Sequence, residues 1–363
     1  MRKRALLAAA ATLLGTLAGA PAAHAAPAHG SYGSYGQGLD HCTTVTTSDN
    51  VSDTASLACH FDVPPGTYDV TVTLGGDSAG STAVSGETRR ALLAETTTAA
   101  GQRVRRSFTV DVRDPEGEPT GPAGSPGLDL VLGGSAPRVT ALRVTPARAA
   151  RRLFRVGDST VCDQPGDPYT GWGQVLPAHL KRGIAVANHA DSGESTVTFL
   201  ENPALFERVE AAIRPGDPVL IQLAHNDKQT DAATYRANLT TLVERVRARG
   251  GEPVLVTPVV RRWFNADGTL NNAIALLVNG LGVDHPAEIR ALAATLGTPL
   301  IDLTALTRAR VEELGPEASK ALYLTTEKRD NTHTSVRGAT EYAALVAAEL
   351  RARGIVPGRL LRR

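Results

Sequence analysis

The patterning of this 363-residue chain predicts an all-β sandwich followed by an α/β domain built on a doubly wound parallel sheet. Three observations carry that expectation. Up to about residue 148, apolar and polar residues alternate, the period of a half-buried strand. Beyond it, short unbroken apolar runs take over, as strands buried on both faces require. Between those runs lie longer stretches with helical spacing, and strand–helix alternation builds a parallel sheet.

The elements follow in order. Arg2, Lys3 and Arg4 precede the apolar stretch Ala5–Ala20 and the small-residue site Ala23-His24-Ala25, the layout of an export signal. Gly15, Gly19 and Pro21 interrupt the run, which is short for a bilayer span, so residues 1–25 are expected to be cleaved. Residues 26–38, rich in Gly, Ser, Tyr and Ala, read as a flexible leader. The sandwich is expected over 39–148. In Thr67–Leu74, Tyr68, Val70, Val72 and Leu74 share one face, and Phe108, Val110 and Val112 repeat the pattern. Leu128–Leu132 and Val139–Val144 are further strands, separated by turns such as Pro64-Pro65-Gly66 and Gly133-Gly134. Pro115–Gly127 reads as a long surface loop.

The α/β domain is expected over 149–357, with a basic tail at 358–363. Its strands are Leu153–Val156, Ile184–Ala187, Val219–Leu223, Val254–Val256 and Leu300–Leu303. Helices are expected at Ala232–Arg249, Pro286–Leu296 and Gly338–Arg353. Ligands of such sheets bind beyond the carboxyl ends of the strands.

Composition excludes some function classes. With 38 basic and 37 acidic residues and no long basic stripe, nucleic acid is not an expected partner. No later apolar run is long enough for a bilayer, so a product outside the cell, free of the membrane after signal cleavage, is expected; the expected state is a monomer. Export permits disulfides. Cys42 and Cys59 fall in one region and can pair, leaving Cys162 as a small buried thiol behind the turn that carries Ser159.

Three motifs supply chemistry. Gly157-Asp158-Ser159-Thr160 follows the first α/β strand, Ala224-His225-Asn226-Asp227 follows the third, and Asp330-Asn331-Thr332-His333 precedes the last helix. A serine hydroxyl is a weak nucleophile without a base. His333 is the candidate base, and Asp330, three residues earlier, can fix its tautomer. Attack on an ester carbonyl develops negative charge on oxygen, so fixed amide donors are needed. Asn226 and the backbone amides of Ser159 and Gly193 are the candidates. Asp158 is expected to brace the serine turn and Asp227 the Asn226 loop. His225 is either a substrate contact or a hydrogen-bonding brace, the second being favoured. For Asn331, Thr332 and Ser335 the alternative role is capping the helix that follows.

These motifs resemble the four blocks of the GDSL/SGNH hydrolases, which carry Ser, Gly, Asn and His. Ser159, Gly193, Asn226 and the Asp330–His333 pair match them. More narrowly, residues 153–355 look like the rhamnogalacturonan acetylesterase group, on Gly157–Val161, His225-Asn226-Asp227, Pro253–Val259, Pro299–Leu303 and Asp330–His333. The resemblance implies a flavodoxin-like SGNH sheet. Residues 57–145 look like the galactose-binding-type sandwich that precedes some such esterases. Two departures stand out. Ala224 replaces the usual Gly of the third block. Glu194 stands where pectin-acting relatives carry Arg, which reverses a charge and puts an acidic polysaccharide in question. Trp263, within Val259–Phe264, is either a sugar-stacking platform or packed under its own loop.

The expected activity is that of a secreted serine carbohydrate esterase releasing O-acetyl groups from plant cell-wall polysaccharide or oligosaccharide, foremost rhamnogalacturonan or pectin, without metal or organic cofactor. The alternatives are a lipase or general acyl esterase, a xylan-type acetylesterase, and a non-catalytic glycan-binding protein.

Overall fold

The computed structural model describes residues 36–48, 53–122 and 124–362. The expected export signal (1–25) and residues 26–35 of the expected leader lie outside them. The end of that leader is ordered differently from expectation: Gly36–Gln37 form a short strand, β1, paired with residues 143–144.

The β region contains β2 (Cys42–Ser48), β3 (Asp53–Phe61), β4 (Gly66–Gly75), β5 (Gly80–Gly86), β6 (Arg90–Thr98), β7 (Arg103–Val112), β8 (Leu128–Ala136) and β9 (Val139–Pro146). They form two antiparallel sheets, ordered β1-β9-β4-β7 and β2-β3-β8-β5-β6. Val70, Val72, Phe108 and Val110 from the first share one apolar cluster with Phe61, Val84, Leu130 and Leu132 from the second. The alternation of period two places these residues inward together. Cys42 and Cys59 lie opposite one another on β2 and β3 and form a disulfide.

The second region carries a five-stranded parallel sheet: β10 (Arg151–Gly157), β11 (Ile184–Asn188), β12 (Pro218–Gln222), β13 (Glu252–Val256) and β14 (Leu300–Ile301). The order is β11-β10-β12-β13-β14. Counted within this region it is 2-1-3-4-5, the flavodoxin-like arrangement. Leu153, Leu220, Val254 and Val256 pack into one apolar cluster. Phe154, Val156, Val219, Ile221 and Leu255 pack into the other. Both faces are therefore covered, which accounts for the unbroken apolar runs.

Eight α-helices complete the described part. They are α1 (Trp172–Val175), α2 (Thr196–Glu201), α3 (Phe206–Ala212), α4 (Ala232–Ala248), α5 (His285–Leu296), α6 (Leu303–Ala318), α7 (Thr325–Lys328) and α8 (Val336–Ala352). The run Leu300–Leu303 is not all strand: the Asp302 side chain accepts from the Ala305 amide and starts α6. No helix among the described residues is long and apolar enough to cross a membrane. Pro115–Gly127 is only partly the surface loop expected, because Glu116 is buried and Thr120 is bonded to Asp191 across the seam between the regions.

Candidate functional site

In this strand order the chain reverses direction across the sheet between β10 and its neighbours β11 and β12. A crevice opens at the carboxyl end of such a point. Ser159 stands just beyond β10, Gly193 beyond β11 and Asn226 beyond β12.

The Ser159 turn is held from several sides. Asp158 is fully buried, and its Oδ1 accepts from the Thr160 amide (3.0 Å) and hydroxyl (2.8 Å). Its Oδ2 lies 3.1 Å from His225 Nδ1. Burial alone would raise the Asp158 pKa, but His225 and the Thr160 donors lower it below the ordinary value. Gly157 is required by space: a Cβ there would meet Val161 Cγ2 at 2.7 Å. Gln222, Thr160 and Trp172 form a buried chain beneath the turn, with bonds of 2.8 and 3.0 Å.

The third motif reaches Ser159 from the far end of the chain. Thr170 N donates to Thr334 O, and Thr334 Oγ1 to Thr170 O (2.6 Å), tying the two segments together. Ser335 caps α8 through the Gly338 amide, so the capping role falls to Ser335 and leaves His333 free. The Ser159 hydroxyl is 2.9 Å from His333 Nε2. His333 Nδ1 is 2.6 Å from Asp330 Oδ2. A carboxylate can only accept, so Nδ1 carries the proton and Nε2 is left to accept from the serine. Asp330 Oδ1 also takes the Thr332 and His333 amides, at 2.7 and 3.0 Å. Burial opposes its charge, yet the His333 ring and these amides hold its pKa down to about 2.

Asn226 is half-buried, and its Nδ2 donates to Glu194 O at 3.1 Å. Gly193, next in the same loop, is exposed with φ +85°, a conformation that favours glycine. Asn226 and the Gly193–Glu194 segment are thus joined. Asp227 is buried and accepts from Thr196 N (3.0 Å) and Oγ1 (2.5 Å), bracing the Asn226 loop against the start of α2.

The substrate-contact candidates separate. His225 is buried and bonded to Asp158, the bracing arrangement. Beside it a pocket of about 140 Å³ is lined by His225, Lys228, Arg261 and His285. Trp263 does not pack under its own loop, since it is 47% exposed. The Glu194 side chain is half-buried, and burial pushes its pKa up.

Two residues carried no signal in the sequence. The Tyr169 ring lies 4.8 Å from the His333 ring between centroids. Glu118, from the β region, accepts from Cys162 Sγ (2.7 Å) and from the Ser192 hydroxyl. Ser192 precedes Gly193, so this carboxyl touches the oxyanion-candidate loop and the backing of the serine turn together. Cys162 is buried, and burial with the Glu118 carboxyl keeps it a thiol. Among the described residues, no group of three or more His, Cys, Asp or Glu is placed to hold a metal ion.

Residues 156–340 match the GDSL-like Lipase/Acylhydrolase family. The chain belongs to that family. Rhamnogalacturonan acetylesterase RhgT of Bacillus subtilis is 36% identical over 220 residues, spanning 56% of this chain and 91% of that protein. An uncharacterized esterase of the same bacterium, YxiM, is 30% identical over 305 residues, spanning 82% and 74%. The crystal structure of a B. subtilis protein called YXIM_BACsu superposes with a TM-score of 0.52 at 26% identity, covering 88% of this chain and 91% of that one. This GDSL-like hydrolase is accordingly a carboxylic ester hydrolase of the SGNH type.

Proposed function

We propose that this GDSL-like hydrolase is a secreted carbohydrate O-acetylesterase acting on rhamnogalacturonan or related pectin. One observation carries the mechanism: Ser159, His333 and Asp330 stand in sequence at 2.9 and 2.6 Å in the switch-point crevice. Ser159 Oγ attacks the acetyl carbonyl while His333 Nε2 takes its proton. Asp330 holds the imidazole and stabilises the imidazolium. Asn226 Nδ2, with the Gly193 and Ser159 amides, receives the oxyanion. His333 then donates its proton to the departing sugar hydroxyl. Water, activated by the same imidazole, attacks the acetyl-enzyme and releases acetate. No step calls for a metal or organic cofactor.

The polysaccharide reading is supported by the relative RhgT and by Arg261 and Lys228 in the pocket beside His225. Those cations offer a carboxylate partner that the Glu194 position does not. The export-signal pattern and the Cys42–Cys59 disulfide support secretion. Residues 39–148 are proposed to serve as a galactose-binding-like accessory domain to the hydrolase domain at 149–357.

Ser159→Ala is expected to abolish hydrolysis of small acetyl esters while leaving the thermal midpoint unchanged. Near-normal turnover in that variant would sink the mechanism. Acetate release from acetylated rhamnogalacturonan, homogalacturonan and xylan then tests the substrate. Release from xylan alone would overturn the pectin reading and leave the serine chemistry standing.

A further inference from the structure

At the seam between the β and α/β regions lies a second cavity, of about 310 Å³. Arg113, Arg152, Arg208, Arg214 and His189 line it. Arg113 directly follows β7, Arg152 lies at the start of β10 and Arg208 on α3, so its walls come from both regions. Only two carboxylates, Asp111 and Asp114, share the lining. Two more stand behind it: Asp163 lies 3.7 Å from Arg113 Nη2, and Asp217 lies 4.0 Å from Arg152 Nε.

The donors there are not used up. Arg113 Nε, Arg152 Nε and His189 Nδ1 are buried and have no hydrogen-bond partner among the described residues. His189 is 8% exposed. Burial first, and then the surrounding Arg113, Arg90, Arg152 and Arg208, push its pKa well below the ordinary value, so the imidazole is neutral beside the arginines. A buried nitrogen left without a hydrogen bond costs stability, and the guanidinium groups open to an anion are those of Arg208 and Arg214, which are exposed at the mouth and suited to charge-assisted bonds.

Size and walls narrow the ligand. A cavity of this volume falls at the low end of small-molecule sites, far roomier than an inorganic ion needs. Pro65, Pro115, Pro119 and Ala212 add apolar wall to the charged one. We propose that this seam cavity binds an acidic sugar unit, its carboxylate held by the arginines and its ring against the prolines. The cavity would give the β region a part in gripping an acidic glycan, separate from the chemistry at Ser159.

The test is calorimetric titration of the full chain carrying Ser159→Ala, so that binding is read without turnover. The probes are galacturonate, neutral galactose and inorganic phosphate. Galacturonate is expected to bind at least about tenfold tighter than galactose. Arg208 and Arg214 are exposed at the rim, so Arg208→Ala and Arg214→Ala leave the fold intact, and each is expected to weaken galacturonate about tenfold. In the otherwise unaltered enzyme both substitutions are expected to leave small-ester turnover unchanged. No galacturonate binding, or binding indifferent to both substitutions, would overturn the site. Phosphate binding as tightly as galacturonate would overturn the sugar-acid assignment. Failure here leaves the esterase reading intact, since that reading stands on the turnover of Ser159→Ala.

Discussion

Asp330 has to stay ionised for His333 to keep its proton on Nδ1, and its surroundings ensure this over the working range of pH. Its folded pKa is about 2, below the ordinary 3.8. A carboxyl depressed on folding contributes stability that is complete above the unfolded value and fades as pH falls toward the folded one. Asp330→Asn is therefore expected to flatten the loss of stability between about pH 4 and pH 2, read from urea midpoints. At neutral pH the same variant should lose roughly 10⁴-fold in kcat, because an amide no longer selects the tautomer that frees Nε2. An unchanged acid limb, or activity within a few fold of normal, would contradict the role. At this scale much of the site was legible. Ser159, Asn226 and His333 each sit in a short motif beside a strand end or helix start. Tyr169 and Glu118 were not, because their contacts join distant segments and leave no spacing to read.

Among the elements, the segment Pro115–Gly127 departs furthest from its sequence reading. Its Pro and Gly content signals irregular backbone, and backbone composition says nothing of what side chains dock against. Glu118 from this segment holds Ser192 and Cys162, and Thr120 holds Asp191, so two positions flanking the oxyanion-candidate loop and one behind the serine turn depend on it. Glu118→Ala is expected to lower kcat about tenfold with KM nearly unchanged, since loosened donors cost transition-state stabilisation more than binding. Glu118→Gln, which keeps an acceptor oxygen, should recover most of that loss. Equal damage from both variants, or a change confined to KM, would show that the contact does not position the loop. The five parallel strands were legible because burial on both faces demands continuous apolar runs. Strands β2 and β3 were not: Cys42–Ser48 is mostly threonine and serine, so alternation of polarity is muted. Helix α6 was hidden for a different reason. Its capping residue Asp302 follows the two-residue β14 directly, so one apolar run serves the end of a strand and the start of a helix.

The whole molecule depends on a charge pair that neither region can satisfy alone. Arg90, on β6, donates through Nε to Asp163 at 2.6 Å, and both side chains are almost wholly buried. Burial opposes the charge on Arg90, but Asp163 and Glu87 keep it protonated. Asn188 Nδ2 meets the other Asp163 oxygen at 2.7 Å, joining the pair to the end of β11. A buried pair adds little net stability over an apolar replacement, whereas a buried charge stripped of its partner is costly, by about 3–5 kcal/mol. Because stripping either partner is costly, the β and α/β regions are expected to unfold together, in one transition of the full chain. Arg90→Met should lower the unfolding free energy, read from urea curves, by an amount in that range, because Arg113 at 3.7 Å is too distant to replace the lost bond. The paired variant Arg90→Met with Asp163→Leu should recover much of the loss, since the stranded carboxylate is gone. The coupling is measured by the double-mutant cycle. Additive losses in that cycle, or two resolved transitions in the parent chain, would mean the seam is not what holds the two regions as one.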